Sequence, residues 1–377
     1  VALKQRMEEI HQFLLDSGAV IETPLAPYPY NSKKQPPSPS EVAFPNTSHP
    51  PTPFEIYMKL ENLQPVVKSF KVRAAMSALR TIPHSKLGHG VAAPSAGNFA
   101  AGLISAIEVH SKSTNQHIPL TFLVPSHTSP AKTLPLQEKG ATVLPLHWED
   151  WWTLVQTQDL HSAIQKHTTL ATQNSELTPL PCFLHPVVDT NVILGNASIG
   201  VEILAKHPDC DAIVVPVGGG ALITGICVAV RLMQDWNNPR CKVYAVEVET
   251  AAPLGPSMRA GKPVSVPYTS TWIDGMGSGQ VLSEIWPFLR DWVEESLIVS
   301  VDEVASAVAG LVGACSVVAE GAGAAPLAAI TKHQNYLHKQ GVQKVVGVVS
   351  GGRISTTTLA EILEGGNGVE KDPREKS

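Results

Sequence analysis

The sequence predicts an α/β protein built on open, mostly parallel sheets with helices on both faces, and three observations predict it. Short runs that are apolar throughout recur at 91–93, 120–124, 142–146, 181–184, 212–217, 242–247 and 345–349. Helical patterns fall between them, for instance at 98–110, 195–206, 222–235 and 321–333. Strands that are apolar on both sides, and do not alternate, belong to parallel sheets covered on both faces. The length of 377 residues exceeds what one hydrophobic core usually organises, so two packed lobes are expected.

The elements follow in order. Leu3, Met7, Ile10 and Leu14 recur at helical spacing, and Asp16, Ser17 and Gly18 then stop the pattern, which predicts a short amphipathic helix. From Pro24 to Pro53 the chain holds ten prolines among Ser, Asn and Lys, a composition that favours extended backbone over a helix or central strand. An exposed insertion is expected at about 26–53. Beyond it the strand and helix alternation begins. With 24 residues after Arg353, no regulatory extension is expected.

Composition narrows the function classes. Charged residues are 16% and apolar residues 43% of the chain, the balance of a compact globular protein. The net charge of -5 is dispersed and no Lys/Arg run occurs, so neither nucleic acid nor a membrane surface is expected as a partner. No stretch reaches the roughly eighteen apolar residues that span a bilayer, and the first helix carries acids, so a cytoplasmic protein is the expectation. Cys182, Cys210, Cys227, Cys241 and Cys315 form no CxxC pair and are odd in number, which speaks against a disulfide framework or a zinc knuckle.

Three segments lie where strands give way to helices, the edge at which open α/β sheets bind ligands. In the first, Gly218, Gly219, Gly220 and Ala221 follow an apolar strand and precede a helix. Glycines there let backbone N–H groups converge on a phosphate at the positive end of the helix, although a plain tight turn is an equal reading. The second is Pro94-Ser95-Ala96-Gly97-Asn98, whose small residues leave donors open to a carboxylate; an ordinary Asn helix cap is its bland reading. The third, Ser69-Phe70-Lys71-Val72-Arg73, opens a helix running to about Arg80. A lysine in a first helical turn meets the positive end of the dipole, which makes its amine easier to neutralise and more nucleophilic. Position alone does not separate Lys71 from Lys68.

Together these segments resemble the fold type II pyridoxal-phosphate (PLP) enzymes, in the branch of threonine and serine dehydratases and serine racemase. The resemblance runs from Thr23-Pro24-Leu25 through Lys59-Leu60-Glu61-Asn62-Leu63-Gln64-Pro65, Ser69-Phe70-Lys71 and Ser95-Ala96-Gly97-Asn98. It continues through His185-Pro186, Gly218-Gly219-Gly220, Asp274-Gly275, Glu320-Gly321-Ala322-Gly323-Ala324 and Ser350-Gly351-Gly352. It implies a large PLP-binding domain of 1–89 and 170–377 and a small domain of 90–169. It implies that Lys71, beside Phe70, is the Schiff-base lysine and that Gly218, Gly219, Gly220 and Ala221 cradle the cofactor phosphate. Asn98 would meet the ring hydroxyl, Ser350 the pyridine nitrogen, and Ser95, Ala96, Gly97 and Asn98 the substrate. A serine hydroxyl at that nitrogen leaves it largely unprotonated, which favours prompt loss of a β-leaving group. The implied activity is elimination of the β-hydroxyl from a small L-hydroxy-amino acid, giving a 2-oxo acid and ammonia, by a homodimer.

Departures from the family pattern bear on the substrate. Ala96 stands where racemases of this branch carry a serine, so racemisation is expected to be poor. Pro253 stands where several members have the second carboxylate of a cation site; Glu247 is kept and Glu249 is nearby, but no tight metal site is expected. Phe99 replaces a common histidine, Lys68 resembles a one-residue insertion, and Arg353 replaces an asparagine. Two other readings stay open at this level: β-replacement by a synthase of the same fold, and a PLP-binding protein without turnover.

Overall fold

The computed structural model describes residues 2–29, 54–170, 179–366 and 368. Most of the proline-rich insertion, 30–53, lies outside the described residues. The chain divides into two compact units: Val1–Ile21 with Gln64–Ser198, and Glu22–Leu63 with Ile199–Ser377. Ten strands occur among the described residues: β1 (Leu25–Pro27), β2 (Glu55–Leu60), β3 (Val91–Ala93), β4 (Leu120–Pro125) and β5 (Thr142–Leu146), then β6 (Cys182–Phe183), β7 (Ala212–Pro216), β8 (Lys242–Val248), β9 (Ser296–Val299) and β10 (Lys344–Val349).

The first unit holds a four-stranded sheet in the order β5-β4-β3-β6, parallel throughout. Its short central strand β3 is buried at every position, as expected of Val91, Ala92 and Ala93 between two neighbours. The opening helix, Ala2–Asp16, buries Met7, Ile10 and Leu14 as the periodicity requires, while Leu3 stays exposed at the frayed end. Helices Lys71–Leu79 and Asn98–Thr114 pack on each other in this unit.

The second unit carries a six-stranded sheet in the order β1-β2-β10-β7-β8-β9. All its pairings are parallel except that of β1, which runs antiparallel along the outer edge of β2. An edge is where prolines are tolerated, and Pro27 ends β1. Ala212, Val214, Tyr244, Val246, Val345 and Val349 point into one large core with helices Val301–Cys315 and Gly321–Lys332. The alternate residues Ile213, Val215, Val243 and Ala245 are buried as well, and helix Ala221–Met233 packs on β7 and β8. Both faces are thereby covered, which is why these strands read as continuous apolar runs.

The seven strands expected from apolar runs are all present, within a residue or two of their expected ends. Three others, β1, β2 and β9, were not legible. In β2 the reason is Lys59, a charge in mid-strand that is fully buried. Its ammonium donates to Thr23 O (2.6 Å) and pairs with Glu202, itself buried. A charge is tolerated in such a place only when it is paired and hydrogen-bonded. The helix expected over 195–206 starts earlier, at Thr190, since Thr190 and Asn191 are weak helix formers and give no local signal.

Candidate active site

In the first unit, Lys71 is the first residue of its helix and Phe70 its cap, without a side-chain capping bond. The amine of Lys71 stands 4.8 Å from the Phe70 ring centroid and 5.9 Å from that of Phe99, so two aromatic rings partly desolvate it. Lys68, three residues earlier, is exposed in a turn with φ of 56°. The two lysines thus differ in their surroundings.

Asn98 begins the second of the two packed helices, and it is not the helix cap. Gly97 occupies that position. Ser95, Ala96 and Asn98 are half-buried and Gly97 is exposed. Ser95 Oγ accepts from the Gly97 N–H (3.4 Å), while the N–H groups of Ala96 and Phe99 have no carbonyl partner among the described residues. Such a turn at the start of a long helix offers donors to an anion.

Sequence reasoning missed what holds these two helix ends together. A Cβ on Gly102 would lie 2.8 Å from Lys71 O and 3.2 Å from Ala75 Cβ, so only glycine lets the helices approach this closely. Gly195 does the same for the next turn, where a Cβ would lie 2.6 Å from Arg73 O. Arg73 is fully buried and donates to Ser198 Oγ (3.1 Å) and Ile21 O (3.2 Å). A glycine inside an apolar helical run was the available signal.

In the second unit, β7 ends at Pro216 and the glycine loop leads into helix Ala221–Met233. Gly220 caps that helix at φ of 96°, a left-handed conformation suited to glycine. Gly218 packs against the Gly275–Gly277 turn, where a Cβ would lie 3.3 Å from Met276 Cα, and Gly277 N–H donates to Val217 O (3.0 Å). Among the described residues the N–H groups of Gly218, Gly219, Gly220 and Ala221 donate to no carbonyl. The buried Thr224 hydroxyl, one turn further on, likewise has no partner there. Unspent donors at a helix N-terminus fit a phosphate.

Ser350 directly follows β10 and is buried at the carboxyl end of the same sheet. Glu247, at the end of β8, accepts hydrogen bonds from Leu254 N–H (3.0 Å), Gly255 N–H (3.2 Å) and Ser296 Oγ (2.6 Å). Burial pushes its carboxyl above the usual range despite these three donors. Pro253 caps helix Leu254–Ala260 and Glu249 is exposed. No cluster of three or more metal-ligating side chains occurs among the described residues.

The parallel sheets with their covering helices are those of the PLP enzymes of fold type II. The chain belongs to the family of pyridoxal-phosphate dependent enzymes, whose model matches residues 40–351, and its cofactor is PLP. It is similar to the L-threonine ammonia-lyase of Geobacter sulfurreducens, 33% identical over 314 residues that cover 82% of this chain and 70% of that protein. It is also 32% identical to the L-threonine ammonia-lyase of Thermotoga maritima, over 83% of this chain and 70% of that one. The processed threonine deaminase isoform 2 of Solanum lycopersicum shares the fold, with a TM-score of 0.71 at 22% identity, covering 95% of this chain and 88% of that one. No helix among the described residues is long and apolar enough to cross a membrane.

Proposed function

We propose that this chain eliminates the β-hydroxyl of L-threonine or L-serine to give a 2-oxo acid and ammonia, with Lys71 as cofactor anchor and base. One observation carries the reading. The amine of Lys71 lies within 5.9 Å of the Phe99 ring, next in sequence to the donor-bearing turn that ends at Asn98, so a base and a carboxylate-binding turn share one small region. PLP, when bound, draws electrons from the substrate's α-carbon.

The chain's own groups do the rest. Backbone donors of Ser95, Ala96 and Gly97 hold the substrate carboxylate, and Asn98 orients the ring through its hydroxyl. Gly218, Gly219, Gly220 and Ala221 would hold the phosphate, Phe70 would stand beside the ring, and Ser350 would donate its hydroxyl to the pyridine nitrogen. Released Lys71 takes the α-proton at Nζ. The β-hydroxyl departs with a proton as water, and the unsaturated product hydrolyses to the 2-oxo acid and ammonia. By the family pattern we assign residues 90–169 to a small domain and 1–89 with 170–377 to a large PLP-binding one, a division that differs from the two compact units. The working form is proposed to be a cytoplasmic homodimer, which sedimentation of the holoenzyme tests.

The decisive experiment compares Lys71→Ala with Lys68→Ala. Lys71→Ala should lose both the near-visible absorbance of the bound cofactor and 2-oxo acid release across a panel of L-amino acids, and Lys68→Ala should keep both. A Lys71→Ala protein that retains the band overturns the assignment. Capture of an added thiol in place of 2-oxo acid release would move the enzyme to β-replacement.

A further inference from the structure

The carboxylate of Glu320 is buried, yet it does not cap the helix it precedes: Glu320 is the N-cap of Gly321–Lys332 and makes no side-chain capping bond. It is directed instead to the turn that follows β10. Its Oε2 accepts from the Arg353 N–H (3.2 Å), and its own backbone N–H donates to Gly351 O (3.0 Å). The two bonds hold the chain just beyond Ser350, at Gly351 and Arg353.

Two glycines clear the space around this carboxylate, and a third lets the chain beyond β10 approach the helix. A Cβ on Gly351 would lie 2.7 Å from Glu320 Cδ and 3.1 Å from Oε2, and one on Gly275 would lie 3.4 Å from Oε1. One on Gly323, in the first turn of the helix that Glu320 caps, would collide with Gly351 O and lie 3.3 Å from Gly351 N. The far side of the turn is closed by Gly352, whose Cβ would lie 2.9 Å from Val318 O and 3.1 Å from Asn62 Cβ. A backbone clamped in this way fixes the direction of the Ser350 Cα–Cβ bond and leaves its hydroxyl only the few staggered rotamers.

We propose that Glu320 is a positioning residue for Ser350: its buried carboxylate, wedged between the Gly275 and Gly351 turns, aims the hydroxyl at the end of β10 towards the cofactor ring. The inference rests on the assignment of Ser350 to the pyridine nitrogen. Removing the side-chain oxygen that accepts from Arg353 N–H leaves a donor without its partner, so its loss should be felt at Ser350.

The test uses the holoenzyme and reads PLP dissociation, the ratio of pyridoxamine phosphate to 2-oxo acid, and kcat separately from KM. Glu320→Asp keeps the charge but withdraws it from the turn by one methylene. It should release PLP about tenfold faster and lower kcat more than it raises KM. Glu320→Gln retains a carbonyl oxygen able to accept from Arg353 N–H and should stay near wild type in all three. Ser350→Ala should show the same changes as Glu320→Asp, and the double variant should be no worse than the poorer single one, because both act through one hydroxyl. Additive losses in the double variant, or wild-type readouts in Glu320→Asp while Ser350→Ala responds, overturn the inference alone. Wild-type readouts in Ser350→Ala overturn the assignment of Ser350 and the inference with it.

Discussion

Replacing Gly102 by alanine should cost activity out of proportion to its chemistry. The added methyl would stand 2.8 Å from Lys71 O, 3.1 Å from Lys71 C and 3.2 Å from Ala75 Cβ, whereas ordinary contact begins at 3.4 Å. The shortfall against Lys71 O is therefore about 0.6 Å, and it falls on backbone, which cannot rotate away. Overpacking of this kind costs about 1–3 kcal/mol. Alanine in a helix returns roughly 1 kcal/mol over glycine, so a net loss of about 1 kcal/mol is expected. The larger effect is geometric. The two helices must part by about half an ångström where Lys71 and Asn98 begin them, and misplacement on the 1 Å scale can cost on the order of a hundredfold in rate. We expect kcat for 2-oxo acid release to fall at least about tenfold, measured beside urea midpoints for both proteins. Gly313→Ala is the control: its methyl would meet nothing within 4 Å, so it should gain about 0.5–1 kcal/mol with unchanged turnover. If Gly102→Ala gains stability like the control and turns over at the wild-type rate, the close approach of the helices does not position Lys71.

Three further outcomes are expected. Ala96 has no exchangeable proton, so chiral chromatography of unreacted L-serine should show only a trace of D-serine in the wild type, and more by about a hundredfold or above in Ala96→Ser; abundant D-serine from the wild type would place the second proton donor elsewhere. Burial raises the carboxyl of Glu247, so the fold favours its protonated form. The stability this group contributes is fully present below the ordinary glutamate value of roughly 4.3 and is lost as pH rises through the raised value. Urea unfolding of wild type against Glu247→Gln should therefore show the wild type losing ground as pH increases, and a pH-independent difference would refute the shift. Burial also pushes the Cys227 thiol up to about 12, and it donates to Trp292 O (3.7 Å). A thiol reagent at mildly alkaline pH should label the partly exposed Cys182 in the native enzyme and leave Cys227 untouched until urea is added, which peptide mapping reads directly.

What could be read from the sequence and what could not divide along a physical line. Strands β3 to β8 and β10 are legible because both faces of each sheet are covered, so every residue in the run is apolar and the pattern is complete within a few positions. Lys71 at the head of a helix and the glycine loop between β7 and its helix are equally local, since a backbone turn is written in the residues that make it. Strand β2 was hidden because Lys59 is tolerated there only through Glu202, 143 residues away, and no local pattern contains that partner. The different surroundings of Lys68 and Lys71 come from helix geometry and from the rings of Phe70 and Phe99, which no local pattern shows. Gly102, Gly195 and the two glycines against the Glu320 carboxylate show the same limit: the sequence by itself determined that each could do without a side chain. Only the tertiary structure decided what had to occupy the space, because the backbone or carboxylate pressing on each glycine comes from a segment distant in the chain.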